Sequence, residues 1–190
     1  MEEGEVTVDN KTYPVPQPFV VIATQNPTGA KGTQMLPDSQ MDRFMLRLSI
    51  GYPEHEDAIE MVRRKQSGMS PEDVNQVVSR NEMLLLRKEA DDVYIKDNVI
   101  EYIVTLCERT RQDPNILQGA SPRATLALTS LAKATAWIQG RDYVLPRDVR
   151  FIFRDCIEHR LIWTPELARS EERFRVLDEL YDSIPAPAIR

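Results

Sequence analysis

Three polar side chains of this sequence lie at the ends of predicted strands or helices, where they do not contribute to a packed core. The first is Asn26. It follows the apolar, β-branched run of residues 19–23. An amide at the carboxyl end of such a buried strand lies where α/β proteins bind their ligands. It can donate to a phosphate oxygen or accept from an attacking water without adding charge. An Asx turn or cap before Pro27 is the alternative interpretation.

Arg43 is the second such residue, and it lies at the end of a short predicted helix that starts at Pro37. A guanidinium at a helix end can reach across a subunit boundary and stabilise the charge of a transferred phosphoryl group. Alternatively, Arg43 pairs with Asp42 or covers the strand predicted next. Arg47 is a rival for the same role, but it lies inside that predicted strand, which favours Arg43.

Arg123 is the third, and it places a cation in the first turn of a predicted helix that begins at Ser121-Pro122. The helix macrodipole favours anions at this end, so the choice is locally unfavourable. Such a conflict favours a functional role in which the helix N-terminus and the arginine converge on a phosphate. The alternative is a solvated arginine paired with Glu101 or Asp113.

The elements that must position these residues change character along the chain. Residues 5–15 alternate about a polar turn and predict a β-hairpin. Residues 19–23 and 45–50 predict two strands, separated by the short helix. From residue 53 to the end the apolar spacing is helical, and prolines or caps mark several helix starts. The expected starts are a capping box at Ser79 and Glu82, Asp97, Ser121 and Pro146.

The predicted fold is therefore mainly α and consists of two parts. Residues 1–52 hold part of an α/β core with a hairpin, two strands and a short helix, and residues 53–190 form an all-helical bundle with a C-terminal helix. Two strands and a hairpin cannot make a doubly wound sheet by themselves. We therefore expect the chain to contain only part of its first domain and to begin in mid-domain.

Composition excludes several classes of function. The chain has 42% hydrophobic and 28% charged residues, which is typical of a soluble globular protein. Its net charge of −6 disfavours a general nucleic-acid binder. It has no apolar run of 18 residues and no signal-peptide pattern, so we expect no membrane span. Cys107 and Cys156 have no C-x-x-C spacing and predict free buried thiols in a reducing cytoplasm. His55 and His159 have no metal-ligand spacing, so we expect no metal site.

Four ordered blocks resemble the second half of a MoxR-type AAA+ ATPase: FVVIATQNP, LPDSQMDRF, SIGYP and GASPRATLAL. The resemblance covers almost the whole chain and implies a truncated nucleotide-binding core followed by a helical lid. It implies that Asn26 is the sensor-1 residue and that Arg43 is the arginine finger acting on the ATP of an adjacent subunit. Arg123 would be the sensor-2 arginine, acting in cis or in trans. The hairpin would be a substrate- or pore-facing element, or simply a sheet edge.

Two motifs of such ATPases are missing from the sequence. It contains no G-x-x-x-x-G-K-[ST] phosphate loop and no apolar strand that ends in Asp-Glu. Phosphoryl transfer needs both, because its catalysis consists of positioning and charge neutralisation. The family places both upstream of these residues. We therefore expect ATP and Mg²⁺ to be used by the parent protein, and the present chain to be inactive alone, with no tightly bound cofactor.

The resemblance implies a parent protein that couples ATP hydrolysis to chaperone-like remodelling or maturation of protein partners, including metal or cofactor insertion. It implies a ring, expected to be a hexamer, and partners with von Willebrand factor A-type domains. Two other classes stay open. One is a nucleotide-independent helical adaptor, and the other is a motor like magnesium chelatase or the MCM helicases, which the acidic charge disfavours.

Overall fold

The computed structural model describes residues 4–25, 36–68 and 74–188 of the chain. Its elements are, in chain order, β1 (Glu5–Val8), β2 (Lys11–Pro14), α1 (Asp38–Met41), α2 (His55–Gln66), α3 (Arg80–Asp91), α4 (Asp97–Thr110), β3 (Ile116–Gln118), α5 (Pro122–Ile138), α6 (Pro146–Ile157), a 3-10 helix (Glu158–Arg160), β4 (Ile162–Trp163) and α7 (Glu172–Asp182). The predicted class, a mainly α chain with a reduced α/β part and a helical lid, is confirmed. Within the described ranges, no helix is long and apolar enough to cross a lipid bilayer.

The predicted hairpin is formed by β1 and β2, which pair antiparallel with Val8 opposite Lys11. Asp9 and Asn10 remain as a two-residue turn, with φ of 49° and 62°. Tight hairpin turns need positive φ because that backbone twist matches the twist of the strands. Aspartate and asparagine tolerate this conformation better than most residues. Local turn chemistry therefore fixes this element.

The two further strands predicted within residues 1–52 are not formed, and this part of the prediction was wrong. Residues 19–23 and 45–50 are not in strands, and the sheets among the described residues pair only β1 with β2 and β3 with β4. A strand needs a neighbour for its ladder hydrogen bonds, and neither segment has one in the described part of the chain. Apolar side chains are therefore left exposed, with Ile22 at 86% and Ile50 at 97%.

Local capping sets where the lid helices begin. The hydroxyl of Ser79 accepts from the N–H of Glu82, and the Glu82 carboxylate accepts from the N–H of Ser79. This is the predicted capping box, and α3 follows it. The hydroxyl of Ser121 likewise accepts from the backbone of the first turn of α5. Asp97, predicted as a cap, is instead the first residue of α4, and the cap is Lys96.

The hydrophobic core lies in the second half of the chain. Among the described residues, the buried apolar side chains fall between residues 93 and 181. They come mainly from α4, α5, α6 and α7, whereas α2 and α3 contribute none. The largest fully buried apolar side chains are Ile103, Leu106, Leu128, Ile157 and Leu177. Cys107 and Cys156 are buried and free, as predicted.

The bundle is not all-helical, which corrects the prediction. β3 pairs antiparallel with β4, and Tyr94 forms a parallel bridge with Tyr143. These connections run beside one another between helices. Buried backbone groups need partners, and adjacent extended segments satisfy each other's N–H and C=O groups. The β3–β4 pairing ties the chain after α4 to the chain that follows α6. The Tyr94–Tyr143 bridge ties the chain before α4 to the chain between α5 and α6.

Candidate functional site

Arg43 lies in the turn that ends α1. Its backbone N–H donates to the carbonyl of Gln40, and the N–H of Phe44 donates to the carbonyl of Met41, both at 3.1 Å. The chain therefore leaves the helix in a tight, hydrogen-bonded turn. The Arg43 side chain is exposed, and its guanidinium has no hydrogen bond or ion pair with any residue that the structure describes. The alternative pairing of Arg43 with Asp42 is not formed.

Asp42, the preceding residue, is surrounded by donors. Its Oδ1 accepts from the hydroxyl of Ser121 at 2.9 Å and from Arg160 at 3.1 Å. Its Oδ2 accepts from Arg123 at 3.2 Å. The Asp42 side chain is 20% exposed. These four residues, here called the Asp42 cluster, attach the end of α1 to the start of α5 and to the 3-10 helix.

Within this cluster, Arg123 occupies the predicted position in the first turn of α5. Its side chain is 38% exposed, and it contacts the Asp42 carboxylate. A carboxylate is favourable at this place, because both the guanidinium and the helix N-terminus attract an anion. Asp42 therefore compensates the unfavourable cation that the sequence places there. From the sequence alone, Asp42 was expected only as an alternative partner of Arg43.

Arg160 is the buried member of the cluster, with its side chain 1% exposed. Besides Asp42, it contacts the backbone carbonyl of Phe44, to which it donates at 2.7 Å. A buried guanidinium needs a counter-charge and hydrogen-bond acceptors, because removing it from water costs several kcal/mol. Loss of one partner of such a pair costs about 3–5 kcal/mol. The contact between Arg160 and Asp42 is therefore a strong constraint on where α1 ends.

His159 contacts the same carbonyl. Its Nε2 lies 2.9 Å from the oxygen of Phe44, and because a carbonyl only accepts, Nε2 must hold the proton. Burial lowers the pKa of His159, although the hydrogen bond to Phe44 acts in the opposite direction. The imidazole is thus a neutral donor near pH 7. No group of three His, Cys, Asp or Glu side chains among the described residues could hold a metal ion.

Arg47, the other candidate for the arginine-finger role, contacts the lid. Its backbone N–H donates to the carbonyl of Asp155 at 3.0 Å, and its guanidinium lies 3.2 Å from the carboxylate of Glu158. Glu158 also pairs with Arg173 at 2.7 Å. Residues 42–47 therefore contact the lid at both ends.

Comparison with known proteins identifies two matched regions in the chain. Residues 1–46 match the "ATPase family associated with various cellular activities (AAA)", and residues 108–180 match the AAA lid domain. The chain is 35% identical over 192 residues to the YeaC protein of Bacillus subtilis, covering 100% of this chain and 60% of YeaC. It is 34% identical over 180 residues to chaperone MoxR1 of Mycobacterium tuberculosis, covering 90% of this chain and 47% of MoxR1. A solved protein of Cytophaga hutchinsonii, described as an ATPase, superimposes with a TM-score of 0.88 at 34% identity, covering 98% of this chain and 60% of that one.

The chain belongs to the MoxR-type AAA+ ATPases. The resemblance that the four sequence blocks indicated is thereby confirmed. The chain spans between 47% and 60% of the length of these relatives. Asp42 and Arg43 fall in the matched AAA region, whereas Arg123 and Arg160 fall in the matched lid. In this MoxR-type chain, the Asp42 cluster therefore joins the two regions.

The structure brings together two of the three predicted site residues. Arg43 adjoins Asp42 in sequence, and Arg123 contacts Asp42 in space, whereas Asn26 lies outside the described residues. The roles of Asp42 and Arg160 were not predicted from the sequence. A signal for Arg160 existed, because a charged residue beside buried Ile157 and Leu161 indicates a buried ion pair. The partner could not be found from the sequence, because it lies 118 positions away.

Proposed function

We propose that this chain is the finger-and-lid part of a ring-forming MoxR-type ATPase, in which Arg43 acts on ATP held by the neighbouring subunit. One observation supports this proposal above the others: Arg43 is exposed and has no described partner, while the charges around it are paired. Asp42 pairs with Arg123 and Arg160, and Arg47 pairs with Glu158. An arginine in that position is available to an anion from outside the chain.

The available groups suit a phosphate ligand. The guanidinium of Arg43 offers donors in a planar fork that matches phosphate oxygens, and the charge of a transferring phosphoryl group spreads over such oxygens. Arg123 adds a second cation at a helix N-terminus, where anions are favoured. We propose that Arg123 is the sensor-2 residue, acting in cis or in trans. Asn26 is proposed as sensor 1, which would orient the γ-phosphate or the attacking water.

Mg²⁺ would neutralise phosphate charge when bound. We assign its ligands, and the phosphate loop, to the part of the relatives' length that this chain does not span. The 190-residue chain by itself is accordingly expected to hydrolyse no ATP.

The biological role that we propose is chaperone-like remodelling or maturation of protein partners, driven by ATP, with metal or cofactor insertion as one form of it. The relative from Mycobacterium tuberculosis is named a chaperone. We further propose a hexameric ring, a cytoplasmic location and partners with von Willebrand factor A-type domains. The hairpin of β1 and β2 is proposed to face the substrate or the pore.

The test is ATP turnover by the full-length gene product, at concentrations that allow assembly. Arg43→Ala is expected to lower turnover on the order of 10³-fold, as for a finger that acts on the transition state. Arg47→Ala is the matched control, because it also removes an arginine side chain from this segment. The guanidinium of Arg47, unlike that of Arg43, forms an ion pair with Glu158. Since exposed ion pairs contribute about 0–1 kcal/mol, the control should lose less than about five-fold.

Other outcomes would redirect the assignment. If the full-length protein turns over no ATP, the nucleotide-independent adaptor is favoured. Turnover stimulated by DNA, with a steep dependence on salt, would indicate a motor like the MCM helicases; the net charge of −6 disfavours it. If turnover persists without Arg43, the finger assignment is wrong, although the family membership stands.

A further inference from the structure

The two residues that flank Arg43 are held by one buried side chain. Arg160 donates to the carboxylate of Asp42 at 3.1 Å and to the carbonyl of Phe44 at 2.7 Å. His159 adds a second contact to the same carbonyl, at 2.9 Å. Consecutive Cα atoms are only about 3.8 Å apart. Fixing residues 42 and 44 therefore leaves the backbone of Arg43 little freedom, although its side chain is exposed.

We propose that Asp42 and Arg160 are positioning residues that hold Arg43 in place through the lid. This inference rests on the proposed finger role of Arg43. Neither residue is assigned a contact with ATP. Asp42 is also hydrogen-bonded to Ser121, which caps α5, so the backbone of Arg43 is attached to the starts and ends of lid helices. The arginine that serves the neighbouring subunit consequently takes its position from the lid of its own subunit.

The chemistry of Arg160 suits this role. Its planar fork reaches one acceptor on each side of Arg43 from two separate nitrogens, whereas a lysine would have to serve both from a single nitrogen. The side chain is 1% exposed, so water does not readily replace either acceptor. Arg123 contributes less to this function, because its side chain is 38% exposed and its described contact lies on the carboxylate side of the turn. Arg160→Lys is therefore an informative variant, since it keeps the charge and removes the fork.

The first test uses the 190-residue chain and native-state amide hydrogen exchange. The Arg47 N–H, bonded to the Asp155 carbonyl, reports on the attachment of the finger segment, and the Leu106 N–H reports on the core. Asp42→Asn and Arg160→Lys are expected to speed exchange at Arg47 at least about ten-fold while leaving Leu106 nearly unchanged. Unchanged exchange at Arg47 in both variants would overturn the proposal.

Asp148→Asn is the matched control for this test. It also removes a buried carboxylate from an arginine, Arg141, but at a site elsewhere in the lid. It is expected to speed exchange at Leu106. It should not cause the local opening at Arg47 that Asp42→Asn causes. If Asp148→Asn exposes Arg47 to the same extent as Asp42→Asn, the effect is general destabilisation and the positioning role is refuted.

The second test uses the full-length protein. Asp42→Asn is expected to lower kcat roughly 10²-fold, as misplacement of a catalytic group does, with KM for ATP nearly unchanged. Turnover should return when Asp42→Asn subunits are mixed with subunits that lack the phosphate-loop lysine, because the latter supply an intact finger to the former. Arg43→Ala should behave identically in the mixture.

The outcomes separate the two proposals. If Asp42→Asn subunits stay inactive after mixing while Arg43→Ala subunits recover, Asp42 acts within its own ATP site and the positioning role is wrong. If Arg43→Ala lowers turnover and Asp42→Asn does not, only the positioning role fails. If Arg43→Ala itself has no effect, the proposed finger role fails first.

Discussion

Asp148→Asn should destabilise the lid more than any exposed charge substitution. The Asp148 side chain is fully buried and accepts from the guanidinium of Arg141 at 2.8 and 2.5 Å and from the N–H of Leu145 at 2.7 Å. Asparagine keeps one acceptor oxygen but faces Arg141 with an N–H donor. Breaking a buried pair on one side costs about 3–5 kcal/mol. Because the cap bond can persist and Arg141 is 13% exposed, we expect the lower end, about 3 kcal/mol.

Urea unfolding of the 190-residue chain, followed by circular dichroism, measures this loss, and a thermal melt should show a Tm lower by roughly 6–12 °C. Asp178→Asn is the control, since its carboxylate also pairs with an arginine, Arg154, at 2.5 Å but is 39% exposed. Exposed pairs contribute about 0–1 kcal/mol. Equal losses in the two variants, both below about 1 kcal/mol, would refute the argument that burial decides the strength of the pair.

Two further predictions concern His159 and Gly119. Burial holds the folded-state pKa of His159 below its ordinary value of 6.5. The free energy of unfolding that depends on neutral His159 is therefore fully present above pH 6.5 and is lost as the pH falls towards the folded-state pKa. Between about pH 7.5 and 5.5, the wild-type chain should lose more unfolding free energy in urea titrations than His159→Gln, and equal losses in the two chains would contradict this. A Cβ at Gly119 would lie 2.6 Å from the backbone nitrogen of Arg111. Gly119→Ala should therefore cost about 1–3 kcal/mol in thermal melts, and an unchanged Tm would contradict this.

Features fixed by neighbours in sequence were predictable. The capping box of Ser79 and Glu82 and the cap at Ser121 depend on groups within three residues of one another. The hairpin turn at Asp9 and Asn10 is similarly local. In contrast, residues 19–23 have the composition of a buried strand but no partner strand among the described residues. Strand formation depends on a partner, which a local pattern cannot supply.

The candidate site was only partly predictable for the same reason. The sequence identified Arg43 by its place at a helix end and Arg123 by its conflict with the helix macrodipole. The sequence favoured Arg43 over Arg47 because Arg47 was predicted to lie in a strand. That reason was wrong, since no strand forms there. The structure supplies a different reason, the ion pair of Arg47 with Glu158. Pairings between distant charges depend on the tertiary fold and are not encoded in local spacing.

The character of the joint between the AAA region and the lid also bears on how the molecule could respond to a nucleotide. An apolar joint offers no group for which a phosphate can compete. Here the joint is a carboxylate shared by a buried arginine, a half-exposed arginine and a hydroxyl. If Arg123 is drawn to a phosphate, Asp42 retains Arg160 and Ser121, so Arg123 can leave without releasing the segment that carries Arg43. We therefore expect Arg123→Ala to weaken the response of the lid to nucleotide while preserving the slow exchange of the Arg47 amide that Asp42→Asn removes.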